Sequence, residues 1–451
     1  MAPASTSAGA SPTASPTTTS LDHYWMPFTA NRYFKTHPKL VTKAEGSYVT
    51  FADGRKAFDC LSGLWCSPLG HAHPKLVETV KRQAETVDFC APFQIANPWA
   101  HQLAGKIAGM APAGMNRVFF TNSGSEAVDT ALKIAMAYHR LRGEAGRTRF
   151  IGRERGYHGV GFGGISVGGL GPNRKMFSPL TLPGVDHLPH THNLKEMAFT
   201  RGQPTWGAHL ADELERIVAL HDASNIAAVI VEPFAGSTGI LVPPVGYLQR
   251  LREICTKHGI LLIFDEVISG FGRLGSNFGA QHYGVTPDLM TFAKQVTNGV
   301  IPMGGVIAKQ EIYDTFMTGP EHAIEFSHGY TYSGHPMAAA VGLTVLDLMQ
   351  QDGLIQRAAE MAPVIEDAFH SLKGEPGILD IRNAGLSAAV ELEPIAGKPG
   401  LRALNLFEAA IDEGQLFRAA GDTLAVAPPY LVSKDEIGRM VDTIRKLVRK
   451  C

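Results

Sequence analysis

The run Gly259-Ile-Leu-Leu-Ile-Phe-Asp265, followed by the shorter apolar run Leu289-Met-Thr-Phe-Ala-Lys294, decides how this chain is read. Each is a continuous apolar stretch of strand length that ends on one charged residue, as expected of a strand buried on both faces. In open parallel sheets, ligands gather beyond the carboxyl ends of the strands. An aspartate and a lysine at two such ends suit a particular chemistry. A partly desolvated lysine loses its proton and attacks a carbonyl, and an aspartate at a strand end keeps a pyridine-type nitrogen protonated. The alternative is that Asp265 caps a turn and Lys294 is a solvated surface residue.

Three more apolar runs end in compatible chemistry. Arg117-Val-Phe-Phe-Thr121 leads into Asn122-Ser-Gly-Ser-Glu126 and a helix with Val128, Ala131, Leu132 and Ala135 on one face. The free amides and the positive dipole end of such a helix hold a dianion, Gly124 lets the backbone approach, and Ser123 and Ser125 add hydroxyls. An ordinary N-cap explains the same residues. Arg149-Phe-Ile-Gly152 leads to Gly156-Tyr-His-Gly159, where Tyr157 offers a ring to stack on a flat heterocycle. Ala227-Ala-Val-Ile-Val231 ends in Glu232-Pro233.

With Phe264-Asp-Glu-Val-Ile-Ser-Gly-Phe-Gly-Arg273, Ala293-Lys-Gln-Val-Thr-Asn-Gly299 and Gly329-Tyr-Thr-Tyr-Ser-Gly-His-Pro336, these motifs resemble the class III pyridoxal phosphate aminotransferases from about Leu21 to the C-terminus. His23-Tyr-Trp-Met-Pro-Phe-Thr-Ala-Asn-Arg32, Leu61-Ser-Gly-Leu-Trp65 and Asp186-His-Leu-Pro-His-Thr191 are most similar to the β-alanine:pyruvate, or ω-amino acid:pyruvate, branch. The resemblance implies an α/β protein of fold type I. Its large domain, about 76–337, holds a mainly parallel seven-stranded sheet, and residues 21–75 and 338–451 together form a small α+β domain. The cofactor implied is pyridoxal 5'-phosphate. Lys294 falls on the Schiff-base lysine, Asp265 on the pyridinium partner, Gly124 and Ser125 on the phosphate site, Tyr157 and Val267 on the two ring faces, and Glu232 on a supporting glutamate. Ser123 and His158 count with the cofactor-binding residues. Thr331 falls on a residue that reaches the phosphate of the neighbouring subunit, so a homodimer at least, or a homotetramer, is expected.

Substrate recognition is expected at Arg418 in Leu416-Phe-Arg-Ala-Ala-Gly-Asp-Thr423, because a guanidinium grips a carboxylate through two parallel bonds. Trp65, Phe28 and Phe93 fall on pocket aromatics of the branch, with core packing as the alternative for the two phenylalanines. Relatives acting on ornithine or γ-aminobutyrate carry a glutamate where Ser237 stands here, so Arg418 stays free for short substrates in both half-reactions. Ala425 replaces a glutamine found in some relatives. The implied reaction moves an amino group from an ω-amino acid or amine to pyruvate, with a different donor or a same-fold aminomutase as alternatives.

Other features exclude other functions. Gly159-Val-Gly-Phe-Gly-Gly164 fits the dinucleotide fingerprint, but Ile165-Ser-Val-Gly-Gly-Leu-Gly-Pro172 is too rich in Gly and Pro to be the helix that fingerprint needs. His187, His190 and His192 bracket Pro189 with no cysteine pair, so no metal is expected. With 41 basic and 42 acidic residues, nothing recommends a nucleic-acid or membrane-surface partner. Five cysteines without a C-x-x-C pair suit a reduced compartment, and no apolar stretch is long enough to span a membrane. Met1–Ser20, mostly Ala, Ser, Thr, Pro and Gly, is expected to be disordered and lacks the features of a transit or signal peptide, leaving the cytoplasm as the expected location.

Overall fold

The computed structural model describes residues 20–450; residues 1–19, which carry the expectation of a disordered tail, and Cys451 lie outside them. The central sheet has seven strands: β1 (Met115–Thr121), β2 (Arg149–Arg153), β3 (Val185–Leu188), β4 (Ile226–Val231), β5 (Leu261–Asp265), β6 (Leu289–Ala293) and β7 (Gly304–Lys309). Their order is β1-β7-β6-β5-β4-β2-β3, and every pair from β6 to β3 is parallel. All residues of β4, β5 and β6 are buried, which is why those runs are apolar without alternation.

Strand β7 runs antiparallel to both β1 and β6, although the stretch up to Gly305 reads as loop. The reason is length. A parallel crossover needs a dozen or more residues, and only 294–303 separate β6 from β7. The paired glycines that begin β7 are sterically required: a Cβ on Gly304 would lie 2.5 Å from the Ser123 carbonyl oxygen, and one on Gly305 would lie 2.5 Å from the Phe292 ring.

On one face of the sheet lies the helix Gly124–Leu141, which buries Ala127, Val128, Ala131, Leu132 and Ala135. Each large member, such as Val128 or Leu132, stabilises the contact by about 1.5–3 kcal/mol. Against the other face pack the long helix Pro336–Gln351, with proline in its first turn, and Pro98–Met110. No described helix is long and apolar enough to cross a membrane.

The two ends of the chain meet. Strands Val41–Glu45, Tyr48–Phe51 and Lys56–Asp59 form a meander whose last strand pairs in parallel with Gln415–Leu416. A second four-stranded sheet, in the order Ile378–Asn383, Ala388–Leu392, Thr423–Val426, Arg418–Ala420, places Arg418 on an edge directly opposite Ala425.

The glycine-rich stretch after Gly159 departs from its reading as non-helical. It forms two short helices, Phe162–Val167 and Gly171–Phe177. The first docks on Asp129, which accepts from the Gly164 amide at 3.0 Å, and a Cβ on Gly161 or Gly163 would collide with that carboxylate. The glycines therefore serve helix packing, and the six-residue helix they permit is too short for a dinucleotide crossover.

Candidate active site

Strand ends β1, β2, β4, β5 and β6 converge on one cavity of about 130 Å³. Its walls include Gly124, Ser125, Tyr157, His158, Glu232, Ser237, Asp265, Val267 and Lys294. At one end is the start of the 18-residue helix Gly124–Leu141, whose first amides have no intrahelical acceptor. Ser123 is the N-cap, its hydroxyl accepting from the Glu126 amide at 3.2 Å, and it is not on the cavity wall. Ser125 is on the wall, its hydroxyl accepting from the Val160 amide at 3.1 Å.

Asp265 is held from three sides. Its Oδ1 accepts from the Thr291 hydroxyl at 3.0 Å and from the Val267 amide at 3.2 Å. Its Oδ2 lies 2.8 Å from His158 Nδ1. A carboxylate only accepts, so that nitrogen carries the proton; the buried Nε2 has no partner among the described residues. Thr291 escaped the sequence reading because it sits inside the apolar run of β6. The signal was a hydroxyl in an otherwise apolar strand, paired in register with Asp265.

Glu232 is buried and accepts from the Tyr157 amide at 2.9 Å. Burial pushes its carboxyl up to about 7, with Asp265 adding to the rise and His158 opposing it. The folded protein therefore binds this proton more tightly than the unfolded chain, and stability falls as pH rises from the ordinary 4.5 toward 7. In Glu232→Gln, which keeps an acceptor for the Tyr157 amide, the urea midpoint of the cofactor-free protein is expected to drop less between pH 5 and 7.5 than in the wild type. Parallel pH profiles for the two proteins would contradict this.

Lys294 follows β6 directly. Its φ of 53° puts a non-glycine residue in the left-handed region, a local strain of the kind found at functional sites. Burial pushes its ammonium down toward the neutral, nucleophilic form; Cys66, Asp265 and Glu232 oppose this, and Arg418 adds to it. Arg418 is half-buried and is not on the cavity wall, yet its charge acts on both Lys294 and Tyr157. Burial lowers the guanidinium itself, and among the described residues it forms no ion pair.

The remaining expected residues stand apart from the cavity. Trp65 is 1% exposed and packs between Phe234 and the buried Arg273, which has no carboxylate partner among the described residues. Phe28 and Phe93 are 77% and 58% exposed, and Thr331 is exposed on the loop before Pro336–Gln351. The three histidines diverge: His187 Nε2 lies 2.9 Å from the Gly168 carbonyl, His190 donates its amide to Glu154, and His192 joins Glu391 at 3.1 Å. His192, Asp380 and Glu391 lie close enough to share a metal, but Arg382 Nη1 bonds both carboxylates and supplies the cation there.

The cavity fits a phosphorylated pyridine aldehyde. It offers helix amides for the phosphate, Tyr157 and Val267 for the ring, Asp265 for the ring nitrogen and Lys294 for the aldehyde. Comparison with known proteins agrees: residues 29–448 match the family model for class-III aminotransferases. The chain is a class-III aminotransferase. This aminotransferase is 56% identical over 428 residues to the omega-aminotransferase of Caulobacter vibrioides, covering 95% of this chain and 97% of that one. It is 54% identical to the beta-alanine–pyruvate aminotransferase of Pseudomonas aeruginosa, covering 93% and 94%. Among solved structures, an omega transaminase mutant from Pseudomonas jessenii superposes with a TM-score of 0.90 at 32% identity, covering 95% of this chain and 97% of that one. The fold is type I of the pyridoxal phosphate enzymes, and pyridoxal phosphate is the cofactor of the class.

Proposed function

We propose that this aminotransferase moves the amino group of a short ω-amino acid, with β-alanine as the reference donor, to pyruvate, releasing malonate semialdehyde and L-alanine. The names of the relatives support this reading. The observation that carries it is Arg418: a half-buried guanidinium that acts electrostatically on Lys294 and Tyr157 and has no acidic partner among the described residues. Ser237 on the cavity wall brings no carboxylate to neutralise it. A substrate carboxylate would meet an uncompensated, partly desolvated fork donor.

In this reading the bound cofactor supplies an aldehyde to hold the amine and an electron-withdrawing ring. Asp265, fixed by His158, Thr291 and the Val267 amide, would hold the proton on the ring nitrogen. The amides of Gly124 and Ser125 would hold the phosphate, and Tyr157 and Val267 would flank the ring. Lys294 Nζ, lowered by burial, takes the proton from the amine-bearing carbon of the donor and later returns one to the acceptor carbon. Trp65, buried against Phe234, would back the substrate side from within, and Phe28 and Phe93 would shape the entrance with Thr331 from surfaces that a second copy of the chain would cover, so the working unit is a homodimer or a tetramer of such dimers. Residues 21–75 and 338–451 act as one small domain beside 76–337, and the enzyme works in the cytoplasm.

A panel of amino donors incubated with pyruvate, with alanine formation as the readout, tests the proposal. β-Alanine is expected to support steady alanine formation. Alanine formation from no ω-amino acid, or amino migration within one molecule that needs no pyruvate, would overturn it.

A further inference from the structure

The turn that carries Lys294 is fastened to a distant part of the chain by one side chain that the chemistry above does not use. Lys294–Thr297 is a single short turn that closes on Asn298, itself left-handed with φ 54°. Asn298 is buried, and both ends of its side-chain amide are engaged: Oδ1 accepts from the Leu69 amide at 2.9 Å, and Nδ2 donates to the Gly70 carbonyl at 2.8 Å. Its own carbonyl accepts from the Ser67 hydroxyl at 3.1 Å. Three bonds thus join one residue to Ser67–Gly70, more than two hundred positions away in sequence.

That segment begins two residues after Trp65 and is also tied to the C-terminal part of the chain, where the Tyr430 amide donates to the Pro68 carbonyl at 2.9 Å. Upstream it is strained: the non-glycine residues Ser62 and Trp65 have positive φ, 51° and 63°. A strained segment keeps its shape only where its surroundings over-determine it. Here the fastening comes from the lysine's own turn. Next to Lys294, Gln295 donates to the Ile268 carbonyl at 2.8 Å, which ties the same turn to the loop after Asp265.

We propose that Asn298 is a positioning residue for the transamination site. Its amide sets the Lys294 turn in register with Ser67–Gly70, so that the lysine amine and the Trp65-bearing segment keep one mutual geometry through both half-reactions. The proposal rests on Lys294 as the residue that holds the cofactor.

Asn298→Gly is the informative change, because glycine accepts the left-handed backbone and removes only the amide. In the cofactor-free protein, hydrogen exchange at the Leu69 amide is expected to accelerate at least ten-fold. In the loaded enzyme, kcat per cofactor-bearing site is expected to fall ten-fold or more while KM for the donor changes less than about three-fold, and the pH midpoint of the lysine-linked absorbance band is expected to move by half a unit or more. Asn298→Asp, which keeps the acceptor for Leu69 and loses the donor to Gly70, should lie between; it decides alone, on the same readouts, if the glycine variant does not load. Loss of melting temperature only, with kcat per site and band midpoint unmoved, would overturn the proposal. A wild-type enzyme with no lysine-linked band would instead overturn the assignment of Lys294.

Discussion

Lys294→Ala is expected to abolish alanine formation and to remove the lysine-linked absorbance band in the same protein. Both losses have one cause, since the amine that holds the cofactor is also the one that moves the proton, and removing a positioned acid–base group together with the covalent link costs roughly 10,000-fold or more. The substitution exchanges one non-glycine residue for another at φ 53°, so the backbone strain is unchanged and the fold should survive. Alanine formation at the wild-type rate by the folded variant would defeat the assignment.

Arg418→Ala is expected to cost about 2–4 kcal/mol in kcat/KM for β-alanine, roughly 30- to 1,000-fold, because it removes a charge-assisted, two-point contact from a partly desolvated place. With a donor amine that lacks a carboxylate, the same variant should lose less than about five-fold. Arg418 lies on an edge strand opposite the small Ala425, so its truncation disturbs little packing. An equal loss with both donors would show that the arginine is not reading a carboxylate.

Much of this site was legible in the chain because parallel strands end where ligands bind. Each of the runs ending near Thr121, Gly152, Val231, Asp265 and Ala293 is mainly apolar, and the polar residues that follow these runs include most of the cavity wall. Residues that depend on packing across the sequence were not legible. Thr291 bonds Asp265 from inside an apolar run, and Asn298 looks like a turn residue until the fold brings Leu69 and Gly70 beside it. The antiparallel direction of β7 followed from a short connection, yet its glycines looked like a loop, because their function is to leave room for Ser123 and Phe292. Ser123 shows the opposite case, where the ordinary helix-capping role accounts for the side-chain hydroxyl.

The pairing of the chain's two ends through Gln415–Leu416 and Lys56–Asp59 lies beyond any local pattern, since a two-residue parallel strand carries no periodicity of its own. The same holds for the aromatic positions. Trp65 is enclosed by Phe234 and Arg273, whereas Phe28 and Phe93 face outward, and nothing in the local sequence of the three separates these fates.

The role of Lys294 is tested most directly by treating the resting, cofactor-loaded enzyme with borohydride, digesting it and locating the modified peptide by mass. A single stable cofactor adduct is expected on the Nζ of Lys294. An adduct on another lysine, or none in a protein that carries the cofactor, would contradict that role.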